Sequence, residues 1–171
     1  MEAYEARLGD EVEDRVSGFT GVVTSLHRFL QGCDRMSVQP PTDEDGKFLE
    51  SASFDAPDLM VIKKQVFPCN GLRDKNYTGD VLLGDMVCDP ISGFTGVAVT
   101  RHVYPHSCDR ISVQPRHQKD TAMPDYEAFD APQLKVTERG YVKYETPAKE
   151  PPGGPPKFMP EPRESDGRRI D

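Results

Sequence analysis

The sequence predicts an all-β protein: two tandem small antiparallel β-barrels related by a pseudo-two-fold axis, followed by an extended proline-rich C-terminal tail. Three observations predict it. Residues 8–62 align with residues 83–137 at a constant offset of 75 without a gap, and 26 of the 55 pairs are identical, which marks a tandem duplication. Within each copy the apolar residues recur with period two rather than 3.6. Sixteen prolines and fourteen glycines punctuate the chain too often for helices and suit short strands joined by turns.

Each element follows from its residues. Asp10–Val16 alternates apolar and polar side chains and ends at Ser17-Gly18, a turn signal. After Gly21, the β-rich run Val22–Phe29 predicts a second strand. Asp34–Gln39 alternates cleanly, with Met36 and Val38 facing one way and Arg35, Ser37 and Gln39 the other. Pro40 ends that strand. Residues 41–52 are polar and differ almost wholly between the copies, as a surface loop does. Phe54-Asp55-Ala56-Pro57 predicts a turn into a last short strand, Leu59–Ile62. The chain is thus expected to divide into a first barrel over residues 1–62, a hairpin-like connector over 63–82, a second barrel over 83–146 and an arm over 147–171. Gly140–Glu145 is expected to add a further strand. The arm, rich in proline, cannot build a core and is expected to be extended or disordered.

The charge balance narrows the function. A net charge of −8 with no basic block is a poor match to phosphate backbones, which are bound through Lys and Arg. Nucleic acid and anionic membrane surfaces are therefore not expected partners. No apolar run approaches the roughly 20 residues that cross a bilayer. The N-terminus is acidic and lacks an apolar segment, so no secretion signal is expected. The four cysteines then read as free thiols in a reducing cytoplasm.

The blocks LGDEVEDRVSGFTGVV and LGDMVCDPISGFTGVA, with FDAPDLMV and FDAPQLKV closing each copy, resemble the small barrels of the KOW, Tudor and SH3-like group. The run from Gly9 to Pro40 also resembles short proteins of unassigned function from tailed bacteriophages. That resemblance implies an SH3-like barrel in each repeat and a phage setting, with synthesis in the host cytoplasm and residence in the virion.

Several side chains are candidates for chemistry. His27 with Cys33, repeated as His102 with Cys108, has the makings of half a zinc site or of a nucleophile with its base. Further ligands and a thiolate-activating environment are not evident, so core packing is expected and no metal or cofactor is assigned. Asp10, Asp14, Asp34, Asp45 and Asp55 recur as Asp85, Asp89, Asp109, Asp120 and Asp130. They are expected to bond nearby backbone N–H groups, with Arg35 and Arg110 as possible ion-pair partners. The outward row Arg35, Ser37, Gln39 recurs intact as Arg110, Ser112, Gln114, which suggests a binding surface or a ladder of bonds within or between the lobes. Phe19 and Phe94, at turn tips, are expected to be exposed contact residues, and Phe158 is the aromatic anchor of the arm. No catalytic constellation is evident. The expected function is a non-enzymatic phage protein: a capsid decoration, cement or other virion-associated component, docking as an oligomer or within an assembly on the major capsid protein or another virion protein. The alternative is a soluble accessory protein that binds a host factor or sequesters a small nucleotide signal.

Overall fold

The computed structural model describes residues 4–69, 78–117, 122 and 124–143. The fold is all-β, with ten antiparallel strands and two single-turn 3-10 segments among the described residues. The first repeat forms β1 (Glu11–Asp14), β2 (Thr20–Phe29), β3 (Arg35–Gln39), β4 (Ala52–Asp55) and β5 (Leu59–Lys63). The second forms β6 (Met86–Cys88), β7 (Thr95–Val103), β8 (Arg110–Gln114), β9 (Glu127–Asp130) and β10 (Lys135–Glu138). Within each repeat the strands pair in the same order, β5-β1-β2-β3-β4 and β10-β6-β7-β8-β9.

The registers match residue for residue at the offset of 75. Glu11 opposes Val22 as Met86 opposes Val97, and Arg35 opposes Asp55 as Arg110 opposes Asp130. Even the irregularity is shared. The pairing of β2 with β3 skips a residue between Val23 and Ser25, and that of β7 with β8 skips one between Ala98 and Thr100. Such a bulge bends its strand and raises its twist.

The sheet does not stop at the repeat boundary. A strand has two edges, and β3 pairs along one edge of β2 from Val22 to His27. The other edge is occupied by β1 and the Gly9-Asp10 turn only as far as Val23, so the far end of β2 overhangs. That overhang pairs antiparallel with β7, from Leu26 opposite Val103 to Phe29 opposite Thr100. The sequence reading of two tandem small barrels is corrected in this respect: the sheet is unclosed and runs through both repeats. The overhang carries unpaired backbone groups, and antiparallel pairing with its own copy satisfies them.

Two hydrophobic clusters lie under the sheet. The first contains Val12, Val23, Leu26, Met36, Val38, Leu59 and, from the other repeat, Val103. The second contains Val81, Val87, Ala98, Ile111, Val113 and Leu134. Ala6 and Val81, also 75 apart, are both buried in these clusters. The matching packing thus begins before residue 8. It also extends past residue 62. Phe67 N–H donates to the Gly9 carbonyl at 3.1 Å, and Val142 N–H donates to that of Gly84 at 2.9 Å. Gly9 and Gly84 have φ of +82° and +91°, and a side chain at either would collide with the carbonyl of Phe67 or Val142. The Gly-Asp start of each repeat is needed for that return of the chain.

Three local expectations change. Phe54 and Asp55 end strand β4, and the turn is the 3-10 segment Ala56–Asp58. Gly140 makes a turn rather than starting a strand; Tyr144 and Glu145 lie outside the described residues, as do residues 70–77 of the connector and the whole arm. Phe19 and Phe94 are half-buried rather than exposed, each tilted against a partner across its own lobe, Phe54 at 5.3 Å and Phe129 at 5.4 Å between ring centroids.

Candidate functional site

The strand registers line up one row of side chains across six strands. Asp55 on β4 opposes Arg35 on β3, which opposes His27 on β2. His27 opposes His102 on β7, His102 opposes Arg110 on β8, and Arg110 opposes Asp130 on β9. Directly opposed residues share a face of the sheet. The row Asp-Arg-His-His-Arg-Asp is a palindrome, because exchanging every residue for its copy 75 positions away returns the same row. Its six members are identical between repeats.

The centre of the row is a histidine pair. The His27 and His102 Nδ1 atoms lie 2.7 Å apart, a hydrogen bond with one proton between two nitrogens. The rings meet edge-on, at 72°. One ring must carry its proton on Nδ1 and the other on Nε2, so the pair is symmetric in residues and asymmetric in tautomer. Both outer nitrogens are also engaged. His27 Nε2 lies 2.9 Å from Ser25 Oγ and 3.1 Å from Ser37 Oγ, and His102 Nε2 lies 2.9 Å from Ser112 Oγ. Ser25 and Ser112 are buried. Burial lowers the pKa of His27, helped by the charge of Arg35. Burial likewise lowers that of His102, followed by the charges of His27 and Arg110. A single added proton fits, because an imidazolium can donate to the other ring's Nδ1. A second does not, since two N–H groups would then face each other across 2.7 Å.

The rest of the repeated polar row is held within its own lobe. Arg35 Nε donates to Asp55 Oδ1 at 2.9 Å, and Arg110 Nε lies 3.6 Å from Asp130 Oδ1. Both pairs are about half exposed, so each adds little stability. Gln39 donates to the Leu49 carbonyl and Gln114 to that of Pro124, each at 2.8 Å, tying the variable loop to the strand. Of the predicted residues, Arg35, Ser37, Gln39 and their copies therefore lie on one face. Phe19 and Phe94 pack into the lobes, and Phe158 lies outside the described residues. Cys33 is exposed and Cys108 is half-buried, which corrects the expected core packing. His27 turns its nitrogens to His102 and the serines. Among the described residues, no three His, Cys, Asp or Glu side chains converge as metal ligands.

Of the recurring aspartates, Asp10, Asp14, Asp85 and Asp89 cap backbone, whereas Asp34 accepts from the Tyr4 hydroxyl, Asp55, Asp109 and Asp130 pair with arginines, and Asp120 lies outside the described residues. Asp10 accepts from the Arg7 and Gln65 N–H groups, and Asp85 accepts from those of Leu82 and Gly140, the same positions at the offset of 75. Asp14 accepts from the N–H and hydroxyl of Ser17, which hold its pKa low. Asp89 is bound the same way by Ser92 and also by Gln133 Nε2; the Ser92 hydroxyl, then Gln133, lower its pKa to about 2.

The seam also holds a residue that sequence reading passed over. Beside the histidines, on the opposite face, Leu26 opposes Val103 and Arg28 opposes Arg101. Arg101 stands where the first repeat has Leu26. It is largely buried, pairs with Asp109 at 2.7 Å, and donates to the carbonyls of Thr78 and Val81. The signal was present as a charged residue at a position apolar in the other copy. The seam is asymmetric in one further bond: Leu30 N–H donates to the Val99 carbonyl at 2.8 Å. Its counterpart would start from residue 105, a proline, which has no N–H.

No family model, no curated protein and no solved structure matches this chain.

Proposed function

We propose that this is a non-enzymatic structural and binding protein, a double lobe that docks on a larger assembly, in the form of a virion decoration or cement protein. In this reading each lobe is an SH3-like half-barrel and a local two-fold axis passes between His27 and His102. The self-mapping register of β2 with β7 supports that axis.

One observation carries the non-enzymatic reading: the repeated polar chemistry is spent on the fold. The histidines bond each other and three serines, the arginines pair with aspartates on the next strand, and the glutamines brace loops. Groups so engaged suit rigidity rather than turnover. The same engagement weighs against a nucleotide-sequestering role for the Arg-Ser-Gln row. The virion setting rests on the resemblance of the Gly9–Pro40 run to phage proteins. Quantitative mass spectrometry of gradient-purified particles tests it. A stoichiometric copy number supports the reading, and recovery of the protein only from the soluble lysate overturns it.

A further inference from the structure

Because the chain contains its lobe twice, each lobe is a control for the other, and one exposed apolar surface differs in character between them. In the first lobe, Gly21, Pro40, Pro41, Val66 and Phe67 line an open, mainly apolar groove of about 580 Å³. Val66 and Phe67 are substantially exposed, and so are Met60 and Ile62 on the neighbouring strand β5. In the second lobe four of the corresponding positions are changed in character. Met60 and Ile62 become Lys135 and Thr137. Pro41 and Val66 become Arg116 and Tyr141, and the Arg116 guanidinium stacks over the Tyr141 ring at 5.6 Å. The duplicated framework is the same, so the apolar groove is a specialisation of the first lobe and not a requirement of the fold.

We propose that this groove is the docking site of the chain's own C-terminal arm, with the segment Pro155–Pro160 (Pro-Pro-Lys-Phe-Met-Pro) as occupant. Three arguments select it. The groove requires an apolar, extended ligand, and Phe158-Met159 between prolines is the one pair of adjacent large apolar residues beyond Lys143. Such a segment loses little conformational entropy on docking. Lys157 adjoins the pair, and Glu11 lies on the groove wall, so the charges are complementary. The length is sufficient: the 14 residues from Lys143 to Lys157 can span roughly 45–50 Å at about 3.3–3.6 Å each. A body of this size has a radius of gyration of about 15 Å, so the extended arm is longer than the body is wide. The proposal stands independently of the virion reading.

The test is methyl NMR on the full chain with labelled methionine, isoleucine and valine methyls. The Met159 methyl is expected to show nuclear Overhauser contacts to Val66 and Val22. Phe158→Ala should erase those contacts and return Met159 to its free-peptide shift. The double variant Pro41→Arg/Val66→Tyr, which installs the second lobe's cover, should do the same while leaving the signals of the His27–His102 seam in place. A synthetic peptide of residues 153–162 in excess should displace the arm. A Met159 methyl at the free-peptide shift in the unaltered chain overturns the proposal, as do contacts that survive both variants. Contacts that appear only between differently labelled copies overturn it in favour of a second copy as occupant.

Discussion

Replacing His102 by alanine tests whether the seam between the repeats is held by the histidine pair. The substitution removes the Nδ1–Nδ1 bond and the Nε2–Ser112 bond. It leaves the His27 Nδ1 without its partner and the buried Ser112 hydroxyl without an imidazole. A net hydrogen bond contributes about 1 kcal/mol, and an orphaned buried polar group costs about 1–3 kcal/mol. The expected loss is about 2–4 kcal/mol by urea unfolding at pH 7.5. His27→Ala should cost a similar amount, since it orphans the same pair from the other side. The two losses share one bond, so the double variant should fall short of their sum by about 1–2 kcal/mol, the coupling expected of residues in contact. The pH dependence has a definite sign. Both folded-state pKa values are depressed, so the unfolded chain binds protons first as pH falls. Stability should be full above the usual histidine value of about 6.5 and should decline below it, and this decline should flatten in the double variant. Additive single losses, or wild-type stability that rises between pH 7.5 and pH 5, would refute the shared-proton account.

Other outcomes follow from the same geometry. Arg101→Leu copies the first repeat's residue into the second but strands the buried Asp109 carboxylate and two carbonyls; chemical denaturation should show a loss of about 3–5 kcal/mol, and an unchanged midpoint would count against this role. Asp89, with its pKa lowered to about 2, contributes stability that is present above its unfolded value and is lost as pH falls from there through about 2; Asp89→Asn should shallow that acid limb in a pH-resolved melting series, and an unaltered limb would speak against it. In Gly96→Ala the added methyl meets the Gln114 carbonyl on the paired strand, whereas at Gly93 nothing lies in its way. Differential scanning calorimetry should therefore place Gly96→Ala about 1–3 kcal/mol down from overpacking, and Gly93→Ala about 1–2 kcal/mol down from its left-handed backbone alone. Equal stability of Gly96→Ala and the unaltered chain would mean the close approach is wrong.

The sequence by itself determined the local structure. Period-two alternation around Met36 and Val38 located a strand and its faces. The Asp-x-x-Ser turns were legible because a short acidic side chain beside a turn bonds the backbone within three residues. The repeat was legible because identity at a fixed offset needs no structure. Strand β4 was missed because Ala52–Asp55 lacks β-branched residues and sits between a polar loop and a proline. Only the tertiary structure decided which strands met. A β-rich run such as Val22–Phe29 says nothing about its edges, and β2 runs past β1 to pair with β7 at its far end, Leu26–Phe29. The row from Asp55 to Asp130 is therefore invisible along the chain, where His27 and its opposite His102 lie 75 residues apart and the members read as two separate sets. Along the chain His27 and His102 read as partners of Cys33 and Cys108, in half a zinc site or as a nucleophile with its base. Antiparallel pairing of a strand with its own copy brings equivalent positions opposite each other at one place, and here that place falls on the histidines.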